Sequence, residues 1–144
     1  MTPTAMQPGT VLADRFRLIA LAGTGGMGAV YRAFDISRES EVAVKLLQHP
    51  NDTELARRFL REASALQGEL RSLRHPGIVE YIDHGITDDG MYYLAMEWLD
   101  GRDLETRIHR QSLTEIETIY VGVQLCEALS AVHACDLLHR DIKP

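Results

Sequence analysis

Apolar and polar residues alternate through much of the first hundred positions, and then the alternation stops. The runs "FRLIALA" (16–22), "AVYRAFD" (29–35) and "EVAVKLL" (41–47) are short and rich in β-branched and aromatic residues, and they predict three strands. From Thr53 to Arg74 the spacing becomes helical. Leu55, Phe59, Leu66 and Leu73 recur on one side, and His75-Pro76-Gly77 is the expected stop. "IVEYIDHGI" (78–86) and "MYYLAMEWL" (91–99) predict two more strands joined across the turn-forming Asp88-Asp89-Gly90. The expected order is five strands with one helix after the third. Beyond Asp100-Gly101 the stretch "LTEIETIYVGVQLCEALSAVHA" (113–134) predicts a helix opened by a capping box at Thr114 and Glu117. Ile116, Ile119, Val123, Leu125, Cys126, Leu129 and Val132 cover most of its circumference, so burial on nearly all sides is expected, with the covering segments expected beyond Pro144 and an exposed apolar patch expected on residues 1–144 alone. Residues 1–10, "MTPTAMQPGT", carry two prolines and a glycine without periodicity and read as a flexible lead-in.

Composition narrows the function. With 144 residues, 45% of them hydrophobic, the chain has the length and apolar content of one ordinary domain. Its 15 Lys and Arg against 21 Asp and Glu, a formal charge of −6, argue against nucleic acid as a partner. Cys126 and Cys135 form neither a CxxC pair nor a disulfide framework and read as reduced core residues. No membrane-length apolar run and no signal peptide is present, so a cytoplasmic location is expected. His49, His75, His84, His109 and His133 show no metal-ligand spacing and read as structural or surface residues.

The residues "LAGTGGMGAVYRA" (21–33) place four glycines, Gly23, Gly25, Gly26 and Gly28, within six positions. Such a cluster is costly to order, so it serves a sharp turn or the close approach of something else. The spacing fits a dinucleotide fingerprint, a phosphate-covering flap or a plain hairpin. Because Val30 and Tyr31 continue a strand where a dinucleotide fold would open a helix, the dinucleotide reading is disfavoured. Lys45 ends an apolar strand. Glu62 lies between Phe59 and Leu66 on the inward side of the next helix, where an unpaired carboxylate would be costly, and is the expected partner of Lys45.

The last six residues, "HRDIKP" (139–144), complete an ordered set of glycine loop, "VAVK", acidic helix, strand hairpin, linker and buried helix. With them the chain resembles the eukaryotic-type (Hanks-type) protein kinases, and "GTGGMGAVYRA", "HPGIV" and Lys143 are most similar to the bacterial serine/threonine class. The resemblance implies an α+β fold: a kinase small lobe of five antiparallel strands and one helix over 11–96, a linker at 97–103, and the beginning of the helical large lobe at 104–144. It also implies ATP-dependent transfer of a phosphoryl group to Ser or Thr of a protein substrate. By the same resemblance the amides of Gly23, Gly25, Gly26 and Gly28 would cover phosphates, and Lys45 would hold them while pairing with Glu62. Val30 and Ala43 would roof the adenine, and Met96 would stand at the gatekeeper position. The Glu97 carbonyl and the Leu99 amide would read the adenine edge, and Asp103 would meet ribose or substrate. Asp141 would accept the substrate's hydroxyl proton, Lys143 would steady the γ-phosphate, and Arg140 would meet an activation-loop phosphate.

Two departures limit the transfer. Glu62 lies thirteen residues before His75, about one turn more than the family spacing, with "QGEL" (67–70) as the apparent insertion and Glu69 as a rival partner for Lys45. The sequence also ends before the family's metal-binding Asn and the DFG aspartate, so the ligands for Mg2+ are expected beyond Pro144 and the fragment alone is expected to be inactive. A different class remains open at this point, a non-catalytic nucleotide-binding or protein-interaction module.

Overall fold

The computed structural model describes residues 6–26, 28–47, 52–68, 71, 73–139 and 142–143. Six strands form one antiparallel sheet: β1 (Val11–Leu12), β2 (Phe16–Gly25), β3 (Gly28–Asp35), β4 (Ser40–Leu47), β5 (Tyr81–Ile86) and β6 (Tyr92–Glu97). Their order across the sheet is β1-β2-β3-β4-β6-β5. Helix α1 (Thr53–Gln67) lies between β4 and β5 in the chain, while α2 (Leu104–Arg110) and α3 (Glu115–His133) follow the sheet.

Alternation sorts the side chains onto two faces. Tyr31 and Ala33 of β3, Val42, Val44 and Leu46 of β4, and Tyr93 and Ala95 of β6 point one way and pack with Phe16 and Leu18 of β2. The intervening residues point the other way, where Leu47 and Leu94 meet Ala56, Phe59 and Ala63 of α1. The sheet therefore carries a core on each face.

Its two edges are brought together. The turn between β1 and β2 holds Ala13 and Asp14 at φ 49° and 52°, left-handed conformations that cost energy in residues with a Cβ. Next in the chain is Arg15. It donates through Nε and Nη2 to the two oxygens of Asp35 at 2.9 and 2.8 Å, and through Nη1 to Asp83 on β5 at 2.9 Å. Asp35 is fully buried, and its Oδ1 also accepts from the N–H groups of Ser37 and Arg38. One guanidinium thus joins the β1–β2 turn, the end of β3 and the far edge strand.

Several expectations need correction. The sheet has a sixth strand, β1, too short to leave an alternation in the sequence. Residues 6–10 are anchored rather than loose. Gly9 N–H donates to the Leu18 carbonyl, Leu18 N–H to the Thr10 carbonyl and Met6 N–H to the Tyr31 hydroxyl. Helix α1 opens on its Asp52 cap and stops at Gln67 rather than Arg74, because Gly68 turns the chain out and its N–H closes on the Ser64 carbonyl. Helix α2 has no buried residue and hence no apolar period; its sequence signals are the Asp103 cap and basic residues in the last turn.

The capping box of α3 is formed, with Thr114 N–H donating to Glu117 and Glu117 N–H to the Thr114 hydroxyl. Arg107 of α2 also donates to Glu117, at 2.9 Å. Among the described residues α3 shows the exposed apolar patch expected of this stretch by itself: only Ala128 and Val132 of the helix are buried, while Ile116, Ile119 and Tyr120 are 65% or more exposed. Cys126 is exposed as well and Cys135 half-buried, so among the described residues neither sits in a core. Apolar composition shows that a helix can be buried all round; it does not supply the neighbours.

Burial alone would raise the pKa of Asp35, but the Arg15 hydrogen bond, the Ser37 and Arg38 N–H groups and the Arg15 charge outweigh it and hold the carboxyl below its ordinary 3.8. A carboxyl held low when folded adds stability above its unfolded value, and that stability is lost as pH falls through the lower folded value. Arg15→Ala should lower stability by about 3 kcal/mol at neutral pH, since it leaves a buried carboxylate without its cation. Urea midpoints should show the wild type losing stability below pH about 4 more steeply than the variant. Parallel pH profiles would remove Asp35 from this account.

Candidate functional site

The sheet face that packs against α1 also carries a row of side chains with alternating character. Along β4 run Glu41, Ala43, Lys45 and Leu47, and along β3 beside them Val30 and Arg32, with Val30 opposite Lys45 and Arg32 opposite Ala43 in register. Val30 and Ala43 make an apolar patch, with Ala43 buried and Val30 half-buried. A charge pair stands at each end of that patch.

At the inner end Lys45 Nζ lies 2.6 Å from Glu62 Oε2 on α1 and 5.9 Å from the centre of the Phe59 ring. The Lys45 side chain is 15% exposed, which leaves a cation at the surface of a largely apolar wall. Glu62 reaches it because α1 buries Phe59 and Ala63 against Leu47 and Leu94, which turns the intervening face toward β4. Glu69 lies outside the described residues.

The glycines divide into two kinds. A Cβ added at Gly28 would lie 1.9 Å from the Leu46 carbonyl oxygen, so close approach of β3 to β4 requires glycine there. Among the described residues, Gly23, Gly25 and Gly26 have no atom within 4 Å of the corresponding position, and none has a positive φ. No described neighbour and no positive φ calls for glycine at those three positions. They sit at the end of the β2–β3 hairpin, where Gly25 pairs with Gly28.

Met96 is half-buried, pairs with Ala43 across β4 and β6, and packs against the α1 core. After Glu97 the chain leaves the sheet. The Glu97 N–H donates to the Glu80 carbonyl and its side chain accepts from the Glu80 N–H, while Leu99 is 65% exposed. The Asp103 carboxylate caps α2 by accepting from Thr106 N–H at 2.6 Å, and hydrogen bonds from Thr106 hold its pKa below the ordinary value. Lys143 is exposed, whereas Arg140 and Asp141 lie outside the described residues. Among the described residues no three His, Cys, Asp or Glu side chains gather as a metal site. No helix among them is long and apolar enough to cross a membrane.

A second cluster was not anticipated. Arg32 pairs with Glu41 at the outer end of the patch, and its guanidinium lies over Trp98, whose indole N–H donates to Asp100. The available signal was positional: Arg32 follows Val30 by two, so the strand period puts it on the same face.

A family model of the protein kinase domain matches residues 16–144. Serine/threonine-protein kinase pkn3 of Myxococcus xanthus is 37% identical over 139 residues, covering 94% of this chain and 25% of that protein. Serine/threonine-protein kinase PrkC of Bacillus subtilis is 38% identical over 139 residues, covering 94% of this chain and 21% of that protein. The crystal structure of the Mycobacterium tuberculosis PknI kinase domain, C20A mutant, matches with a TM-score of 0.81 at 29% identity, covering 98% of this chain and 57% of that one. The chain thus spans a quarter or less of the length of these two curated relatives.

The two kinds of glycine should separate on substitution. Gly28→Ala forces backbone apart and should cost about 2 kcal/mol or more, whereas Gly25→Ala meets open space and should stay within about 0.5 kcal/mol. Denaturant midpoints of the two variants measure the difference, and equal losses would contradict the close β3–β4 approach.

Proposed function

The chain belongs to the protein kinase domain family, and from that premise we propose that it forms the nucleotide-gripping part of a serine/threonine protein kinase acting in the cytoplasm. The observation that carries the reading is the Lys45–Glu62 pair, 2.6 Å apart, at the inner end of an apolar patch and beside a hairpin whose outer glycines have open space around them. A carboxylate that holds an ammonium in place at the end of an apolar wall prepares it to meet anionic oxygens.

In this reading adenine lies against Val30 and Ala43, beside Met96. The Glu97 carbonyl and the Leu99 N–H read its edge, and the amides of Gly23, Gly25, Gly26 and Gly28 lie over the phosphates. The Glu97 N–H already serves the Glu80 carbonyl, which leaves the Glu97 carbonyl as the reading group. Lys45 draws the α- and β-phosphate oxygens toward itself, and Asp103 completes the ribose or substrate side. Asp141 takes the proton of the Ser or Thr hydroxyl as its oxygen forms a bond to the γ-phosphorus. The bond from that phosphorus to the bridging oxygen breaks, ADP leaves, and Lys143 balances charge on the transferred group. The family uses ATP with magnesium in general, and the described residues of this chain bring together no group of three metal-ligating side chains.

In the full-length protein, Lys45→Met and Asp141→Asn should each lower phosphate transfer by roughly a hundredfold or more. Glu62→Gln should lower it about tenfold, because the lysine keeps its charge but loses its anchor, and Glu69→Gln should stay near wild type. Transfer of radiolabelled phosphate from ATP to Ser and Thr of a general protein substrate is the assay. Undiminished transfer by Asp141→Asn would overturn the assignment, and ATP binding with no transfer in the wild type would favour a non-catalytic module.

A further inference from the structure

The charge pair at the outer end of the patch takes no part in the chemistry above. One terminal nitrogen of Arg32 donates to both oxygens of Glu41, at 2.7 and 2.6 Å. The guanidinium carbon lies 5.4 Å from the centre of the Trp98 ring, and the indole N–H is held by Asp100 at 2.9 Å. Among the described residues Arg32 Nε is buried without a hydrogen-bond partner. The group is therefore held by Glu41 and by the aromatic face, in an arrangement that leaves one donor unsatisfied. An aliphatic side chain at this position would avoid that cost, so the guanidinium calls for a purpose.

Its location supplies one. The β4–β6 ladder pairs Val42 with Glu97 and extends no further along β6. From Trp98 onward the connector to α2 has left the sheet, and Trp98 stands between Glu97 and Leu99, the two residues whose backbone groups read the adenine edge. Arg32 stands on β3 two residues from Val30, in register with Ala43. The Arg32–Trp98 contact thus links the apolar roof to the connector just past the last rung of the ladder.

We propose that Arg32, braced by Glu41, is a positioning residue for the nucleotide: by holding Trp98 it fixes the backbone of Glu97 and Leu99 relative to the Val30–Ala43 roof. The inference rests on the nucleotide reading of this cleft. Arg32 touches neither the reacting phosphate nor Lys45, so its effect falls on nucleotide binding and spares the chemical step. The cation must lie over the indole for the contact to form, so the side chain at 32 matters through its charge and its reach.

Two measurements test this. In the full-length protein, Arg32→Leu, which keeps apolar cover on the strand, should raise the KM for ATP roughly five- to tenfold with kcat within about twofold. Arg32→Lys should recover part of the loss, because a cation over the ring survives without the planar fork. Arg17→Leu, which removes an exposed arginine from β2, should leave both constants unchanged. In the 144-residue chain Trp98 is the sole tryptophan, and Arg32→Leu should increase its quenching by acrylamide while Arg17→Leu does not.

Should Arg32→Leu lower the urea midpoint, Glu41→Gln, which loosens the brace and keeps the guanidinium, is expected to raise the KM about two- to threefold. An unchanged KM in both Arg32→Leu and Glu41→Gln, or an unchanged Trp98 signal in Arg32→Leu, would overturn the proposal while the wild type still uses ATP. A wild type that neither binds nor uses ATP would instead overturn the nucleotide reading, and this inference with it.

Discussion

The guanidinium of Arg15 ties together three parts of the sheet that are far apart in sequence: the β1–β2 turn, the end of β3 and the edge strand β5. A six-stranded antiparallel sheet twists of itself, but twist alone does not bring its two edges within hydrogen-bond distance. Asp35, fully buried and satisfied by Arg15 and by two backbone N–H groups, makes the junction specific, since a carboxylate in that position is tolerated only with its cation. The left-handed turn at Ala13 and Asp14 is the local strain that accompanies this placement.

Once the sheet is curled, its faces have different tasks. One encloses Phe16, Leu18 and the alternate residues of β3, β4 and β6. The other must both seat α1 and present chemistry, and it does so by position along β4. Leu47 and Leu94 anchor the helix, Lys45 stands where the helix can reach it, and Ala43 with Val30 leaves an apolar surface. Among the described residues charge enters that surface in pairs, at its two ends. The inner pair joins β4 to α1, and the outer pair lies beside Trp98 of the connector at the opposite end of the same patch.

Much of this was legible in the sequence where the signal was local. The strands β2 to β6 appear as short β-rich runs, α1 as a helical stripe and the start of α3 as a capping box, because each depends on nearest neighbours along the chain. The Lys45–Glu62 pairing was legible for a different reason: two charged residues on inward-facing positions of adjacent elements have few other partners. The end of α1 was misjudged because its stripe continues through Leu73, whereas the chain turns at Gly68. Strand β1 and helix α2 escaped because neither buries enough to leave a period.

The sequence by itself determined which residue types alternate, where helices are capped, which glycines cluster, and that an ordered set of kinase motifs spans the chain. Only the tertiary structure decided that Gly28 is demanded by the Leu46 backbone while Gly23, Gly25 and Gly26 are not, and that Arg32 faces Trp98. The physical reason is common to both. A residue's type states what it can satisfy, whereas contact between residues on different strands or past the sheet's end depends on strand register and on the curl of the sheet, and neither is encoded in any short stretch of chain.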